Sequence, residues 1–369
     1  MFIQIQSNMK YIKIAFIGPL PPPFGGVAIM NQSFQNLNYD GFEVIAFDTS
    51  AKNKREDLSV NFKFNSLQRN LKISKNLNKF IVLNKPDLVN IFITSGTSIL
   101  RDILFLKKLN KFQIPVIIHF HSKTFGEFAL TPRRLRILGK YFNRYANRII
   151  LLSDQHFNFF INYFGKEKCI VIENFVNYKD YENESINKNE EFLFVGRLTL
   201  KKGFYDLLEA AKILKSKNIT CIINVIGLAS SVEQESLIKS IISEYALEKY
   251  FAFHGATFGE AKYKLFKKSR CLIFPSHFEN SPVVLKEAIA AKMAIISSDI
   301  EANANILQHR ENYISFKTGN PDDLAQKMIR LINEPEKTEQ MCEVSAGIKD
   351  YDVFFAKQKI QSLFNELIT

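Results

Sequence analysis

One alternation, occurring twice, constrains this chain more than any other feature. In the first half, short runs rich in branched and aromatic residues fall at 11–18 (YIKIAFIG), 42–48 (FEVIAFD), 87–93 (DLVNIFI), 115–121 (PVIIHFH), 148–153 (RIILLS) and 169–174 (CIVIEN). Amphipathic stretches fill the gaps, among them SILRDILFLKKLNKF. Runs of that kind, bounded by turns, are strands of a parallel sheet covered by helices on both faces. A polar stretch then interrupts the pattern, and we read 178–190 as a linker. The alternation restarts at 192–196 (FLFVG) and continues at 220–227, 250–255, 271–276, 293–298 and 313–316. Three helices near 321–333, 335–346 and 352–367 close the chain. The expectation is α/β: an N-terminal Rossmann-like domain (1–177), a second doubly wound domain (191–350), and a last helix (351–369) that packs back on the first domain. Two such halves face each other across a cleft at the carboxyl ends of their sheets.

The 369 residues suffice for two cores at about 150 residues per domain. No run of about 18 uncharged apolar residues occurs, so a membrane span is not expected. The N-terminal residues are interrupted by Lys10 and Lys13 and read as a first strand rather than a leader. Cys169, Cys221, Cys271 and Cys342 are far apart and read as cytosolic thiols. The histidines show no metal-ligand spacing. The net charge of +12 is lopsided. Residues 1–177 hold 24 Lys and Arg against 11 Asp and Glu, and the remainder holds 25 against 26. A one-sided field of that kind suits an anionic partner: a nucleic acid, an anionic membrane surface or a phosphorylated substrate.

The stretch FPSHFENSPVVLKEAIA (274–290) carries the first chemistry. Its strand ends near Ser276, and Ser281 and Pro282 read as the N-cap and first residue of a helix. The free N–H groups near Val283 and Val284 then form an anion site with the helix dipole. Glu279 lies in the loop at its mouth, and Glu287 shares the Val283–Val284 face and leans back toward the same rim. Two carboxylates beside an anion site suit a ligand with both phosphates and hydroxyls, as a nucleotide sugar has. The stretch GRLTLKKG (196–203) adds Arg197 and Lys202 on another strand-end loop, as phosphate donors.

GRLTLKKG together with PSHFENSPVVLKEAIA resembles the retaining glycosyltransferases of family 4, which have the GT-B fold. The likeness is dense from Glu191 to Pro335 and looser before it, in GPLPPPFGGVAIMNQSF, IIHFHSKTF and VIENFVN. The resemblance implies that Arg197 and Lys202 hold the donor diphosphate, Glu287 the ribose, and Glu279 the transferred sugar. It places His121 against that sugar, and Gly25 and Gly26 where the backbone approaches diphosphate and acceptor. His119 shares the face of His121 but lies deeper, and we read it as structural. The chain departs from the family at Asn280, where a Gly is usual, at Lys292-Met293 in place of Gly-x-Pro, at Glu301-Ala302 in place of Gly-Gly, and at Asn305 in place of Glu.

Asp350-Tyr351-Asp352 is a D-x-D, but it precedes the last helix and Asp352 reads as an N-cap. The expectation is therefore a retaining hexosyltransferase needing no cofactor or metal, with a nucleotide-sugar donor as substrate. Its acceptor would be a lipid-linked glycan of cell-surface polysaccharide synthesis. The protein would be cytoplasmic, with its basic half at the inner face of the membrane. The helical pattern 131–149 carries Arg136, Lys140, Arg144 and Arg148 along one side for that contact. A sugar-nucleotide epimerase of similar fold and a non-catalytic sugar-nucleotide binder are the alternatives. A nucleic-acid binder has no supporting motif.

Overall fold

The computed structural model describes residues 11–22, 25–50, 62–93, 98–121, 132–182, 189–307 and 311–368. The chain divides into two compact units. One comprises residues 1–173 and 356–369, the other 174–355.

In the first unit the elements are β1 (Ile12–Gly18), α1 (Gly26–Gln35), β2 (Phe42–Asp48), α2 (Phe62–Asn84), β3 (Leu88–Ile93), α3 (Ser98–Lys111), β4 (Val116–Phe120), α4 (Pro132–Tyr145), β5 (Arg148–Leu151), α5 (Asp154–Phe164) and β6 (Cys169–Val171). The six strands pair in parallel in the order β2-β1-β3-β4-β5-β6. Leu77 of α2, Phe105 of α3, Phe142 of α4 and Phe160 of α5 cover one face, against Ile17, Ile91 and Ile118.

The second unit starts with α6 (Tyr178–Tyr181) and continues β7 (Asn189–Val195), α7 (Phe204–Ser216), β8 (Ile223–Ile226), α8 (Val232–Glu244), β9 (Phe251–Gly255), α9 (Gly259–Lys268) and β10 (Ser269–Phe274). It goes on through α10 (Val283–Ala290), β11 (Ala294–Ser298), α11 (Glu301–Ile306), β12 (Tyr313–Phe316), α12 (Pro321–Asn333) and α13 (Pro335–Gly347). The strand order is β12-β11-β10-β7-β8-β9, again all parallel. One face is filled by Phe204, Leu207, Ile238 and Met328. The other is filled by Phe266, Leu285, Ile289 and Ile306.

A last helix, α14 (Val353–Ile368), starts in the second unit and runs into the first. Its Phe364 packs at 6.2 Å from Phe16, 5.1 Å from Tyr39 and 5.8 Å from Phe42, completing the face that α1 covers through Phe34, whose ring lies 5.8 Å from Phe92 of β3. Asp352 caps it by accepting the Phe354 N–H at 2.9 Å.

Three expectations need correction. Residues 178–182 are not linker, because Tyr181 is buried and its ring lies 4.9 Å from Tyr263 and 5.4 Å from Phe266. The strand expected at 192 begins at Asn189, so of the expected linker only 183–188 remain, and these lie outside the described residues. Arg148 is not on a helix face: α4 stops at Tyr145, and Arg148 opens β5 and is ion-paired to Glu366 of α14. Among the described residues no helix is long and apolar enough to cross a membrane, and all four thiols are free.

The end of α10 accounts for one departure from the family pattern. Lys292 has φ +54°, its N–H donates to Ile289 O at 2.9 Å, and the Met293 N–H donates to Ala288 O at 2.9 Å. That is a Schellman closure, whose left-handed position suits Gly. A lysine there costs about 1 kcal/mol through its Cβ. Lys292→Gly is therefore expected to raise the melting temperature by about 2–4 °C. A calorimetric scan showing no rise would remove the strain assigned to Lys292.

Candidate active site

In a doubly wound sheet the strand order reverses at one point, and the loops beyond the carboxyl ends of the two strands there diverge. In the second unit those strands are β7 and β10. Arg197 and Lys202 follow β7, and Glu279 and Ser281 follow β10, so the topology brings the two expected motifs side by side.

The loop after β7 closes in a single turn, with the Lys202 N–H on Thr199 O at 3.1 Å and the Gly203 N–H on Leu200 O at 2.8 Å. Gly203 then takes φ +68° to start α7, and a Cβ there would lie 1.9 Å from the Pro275 carbonyl oxygen. The two loops therefore touch through bare backbone. They are also tied by hydrogen bonds. The His277 N–H donates to Lys201 O at 3.0 Å, and Ser276 Oγ donates to the same oxygen at 3.3 Å. The His277 ring meets Asp206 Oδ2 of α7 at 2.6 Å. On the open side Lys202 Nζ contacts Glu279 Oε1 at 2.5 Å, with side-chain exposures of 30% and 11%. Arg197 is exposed.

The helix expected at Ser281–Pro282 starts one residue later. Pro282 is the N-cap and Val283 the first helical residue. Proline has no side-chain acceptor, so no side chain caps α10, and the N–H groups of Val283, Val284 and Leu285 have no intrahelical partner. Ser281 is itself 9% exposed, and its Oγ is buried with no partner among the described residues. The start of α10 thus offers main-chain donors and a hydroxyl beside the Lys202–Glu279 pair.

Glu287, one helical turn further on, is buried. Its Oε1 accepts from Lys262 Nζ of α9 at 2.6 Å and from the Tyr181 hydroxyl at 2.8 Å, while Oε2 is buried with no partner among the described residues. Burial first, and then the Glu287 carboxylate, hold the Tyr181 hydroxyl well above its ordinary pKa, so it stays a donor. The sequence predicted a carboxylate reaching back toward the rim of the anion site; the structure shows it buried and held by two donors, one from α9 and one from α6. Lys262 and Tyr181 carry no signal of their own, because one sits in a lysine-rich helix and the other in the polar stretch read as linker.

In the first unit Gly25 is the N-cap of α1 and Gly26 its first residue. Among the described residues nothing lies within 4 Å of a Cβ built on either. His121 follows β4, its ring stacked on Phe92 at 5.2 Å and 4.7 Å from His119. Burial, with His156 a lesser cause, pushes its pKa down to about 3, so the imidazole is neutral at working pH. His119 is fully buried, 4.4 Å from the Phe92 ring and 4.7 Å from that of Phe34, as its deeper position on β4 implied. Among the described residues no group of three or more His, Cys, Asp or Glu could hold a metal ion.

Two family models divide this chain between them. Residues 34–180 match Glycosyltransferase Family 4, and residues 178–346 match Glycosyl transferases group 1. The chain belongs to the glycosyltransferases of the GT-B fold. Its relatives include an uncharacterized glycosyltransferase of Methanocaldococcus jannaschii, 29% identical over 174 residues, 47% of this chain and 40% of that one. Processive diacylglycerol alpha-glucosyltransferase of Acholeplasma laidlawii is 22% identical over 283 residues, 71% of this chain and 82% of the other. O-antigen chain mannosyltransferase of Salmonella typhimurium is 25% identical over 195 residues, 53% and 52% of the two chains. Among solved structures, Anabaena HepE in complex with UDP-glucose superposes with a TM-score of 0.73 at 16% identity, covering 96% of this glycosyltransferase and all of that chain.

Proposed function

We propose that this glycosyltransferase moves a hexose from a nucleoside-diphosphate donor to a lipid-linked glycan acceptor, with retention and without a metal. The observation that carries the donor half is the Lys202–Glu279 pair, 2.5 Å apart beside the uncapped start of α10. In this reading Lys202, Arg197 and the N–H groups of Val283 and Val284 take the diphosphate. Glu279 accepts from hydroxyls of the sugar, and Glu287 from those of the ribose. Departure of the diphosphate concentrates negative charge, and fixed cations and N–H dipoles stabilise it as a divalent ion would elsewhere. The acceptor oxygen bonds to the anomeric carbon on the face the diphosphate leaves, and a phosphate oxygen takes the acceptor proton. UDP-glucose bound by HepE makes UDP sugars the first donors to try.

Calorimetry with UDP separates the two carboxylates. Glu287→Ala is expected to weaken UDP binding, because UDP contains the ribose. Glu279→Gln is expected to bind UDP nearly as well as wild type yet lose sugar transfer. Turnover with UDP sugars should persist in excess chelator. Equal losses in both variants would remove the division of roles between the glutamates, and loss of turnover restored by Mn²⁺ would overturn the metal-free reading.

The acceptor half rests on the first unit, which holds the positive excess. On α4, Arg136, Lys140 and Arg144 are exposed, and Ile137 stands 49% exposed among them. Leu100, Leu104 and Phe112 are exposed on or just beyond α3. Basic and apolar side chains on neighbouring helices suit an anionic leaflet at the inner face of the membrane, and relatives named for diacylglycerol and O-antigen substrates point the same way. Each basic residue near such a surface contributes about 1 kcal/mol, fading over about 8 Å at physiological salt. Flotation with anionic vesicles should be strong at low salt, weak at high salt, and reduced when Arg136, Lys140 and Arg144 become Gln. Association indifferent to salt and to these changes would leave α4 a structural role.

A further inference from the structure

Lys286 stands on α10, one residue before Glu287, and is fully buried. An ammonium is costly to bury unless it is held, and what holds this one is informative. Lys286 Nζ donates to Asn174 O at 2.8 Å and lies 4.3 Å over the ring of Tyr351. Asn174 is the first residue of the second unit, and Tyr351 lies just before Phe355, the last. One cation on the donor helix therefore grips both segments through which the chain passes between its units.

Those two segments are joined to each other. The Val176 N–H donates to Tyr351 O at 3.0 Å, and the Val353 N–H to Val176 O at 2.9 Å, forming a parallel bridge between Val176 and Asp352. The Tyr178 N–H adds a bond to Asp352 Oδ2 at 3.2 Å. Asn174 also closes the circuit back to the site. Its Nδ2 donates to Ser281 O at 2.9 Å, directly before the N-cap of α10. The start of α10 is thus fixed on one side by the crossing segments, through a side chain at Ser281 and a main-chain oxygen at Lys286.

We propose that Lys286 and Asn174 are positioning residues that couple occupancy of the diphosphate site to the two crossing segments. The proposal rests on the donor-site reading above. A ligand that draws the N–H groups of Val283 and Val284 toward itself stiffens α10, and Lys286 transmits the order to 174–178 and 351–353. The coupling is reciprocal, so loosening the crossings weakens the ligand. An apolar side chain at this position would fill the space but transmit nothing to the Asn174 carbonyl.

Hydrogen exchange on the full chain, with and without UDP, tests it. In wild type, UDP is expected to slow exchange both at 283–286 and at the crossings, 176–178 and 351–354. In Lys286→Met the slowing at 283–286 should remain, the slowing at the crossings should vanish, and the UDP Kd should rise about tenfold. Asn174→Ala needs no change at a buried charge: it leaves the residue-174 carbonyl on Lys286 but breaks the Nδ2 bond to Ser281 O, and should weaken the slowing at the crossings even if Lys286→Met fails to fold. Slowing at 283–286 alone in wild type, or crossings that respond as fully as in wild type in both variants, overturns the coupling and leaves the donor site standing. No slowing at 283–286 with UDP, GDP, dTDP or ADP overturns the donor-site reading and this inference with it.

Discussion

Lys202→Ala is expected to lower kcat by about 10²-fold or more, the scale of losing one preorganised donor to a developing oxyanion. The variant should keep its fold, since Lys202 lies on a loop and its side chain is 30% exposed. The loss has two parts. One is the missing cation. The other is Glu279, whose carboxylate, 11% exposed beside the intact lysine, would lose the ammonium 2.5 Å away. Neutralising it should relieve part of the damage, so Lys202→Ala with Glu279→Gln should lose less than the two single changes combined. Contacting charges of this kind commonly couple by about 0.5–3 kcal/mol. Steady-state kinetics on the four proteins measures this. Near-normal turnover in Lys202→Ala would take the lysine out of the mechanism, and strict additivity would mean the pair does not act as one.

Gly203→Ala is expected to destabilise the second unit by about 3–5 kcal/mol, within the tail reserved for named structural faults. Two faults add here. The residue has φ +68°, where a Cβ alone costs about 1–2 kcal/mol. That Cβ would also lie 1.9 Å from Pro275 O and 2.5 Å from its carbon, and main chain cannot swing aside as a long side chain can. Relief requires the loop after β7 to part from the loop after β10, which would stretch the His277–Lys201 and His277–Asp206 bonds. Unfolding followed by tyrosine fluorescence and circular dichroism should show the loss, and UDP affinity should fall with it. A variant with wild-type stability would mean that the two loops do not touch as described.

The strands were legible because covered parallel strands need nothing but apolar, branched runs, and all twelve such runs became strands. Their ends then located the motifs, so that Lys202 and Glu279, 77 residues apart, could be expected to lie near each other from topology alone. What escaped was decided by partners rather than by local pattern. Ser281 looked like a cap, but Pro282 takes that place, and the serine carbonyl is engaged by Asn174 from 107 residues away. Tyr178 and Tyr181 lay hidden in an Asn- and Glu-rich stretch, although two tyrosines can bury what their neighbours cannot. Asp206 sat in the apolar pattern of α7, and nothing local announced His277 as its partner. Arg148 followed the spacing of the α4 arginines, but a strand begins there, and its partner is Glu366 in the last helix.

That last helix bears on how such enzymes could exchange parts. Phe364 lies against Phe16, Tyr39 and Phe42, so the first unit is assembled from both ends of the chain. A hybrid that joined residues 1–173 to the whole remainder of a relative would inherit a foreign tail over its own aromatic face. A hybrid that grafted only 174–355 would keep each core with the sequence it matured with. Recombination that exchanges the second unit while conserving the first should therefore leave two seams rather than one, near 174 and 355. The parallel bridge between Val176 and Asp352 is where both seams would have to fit at once.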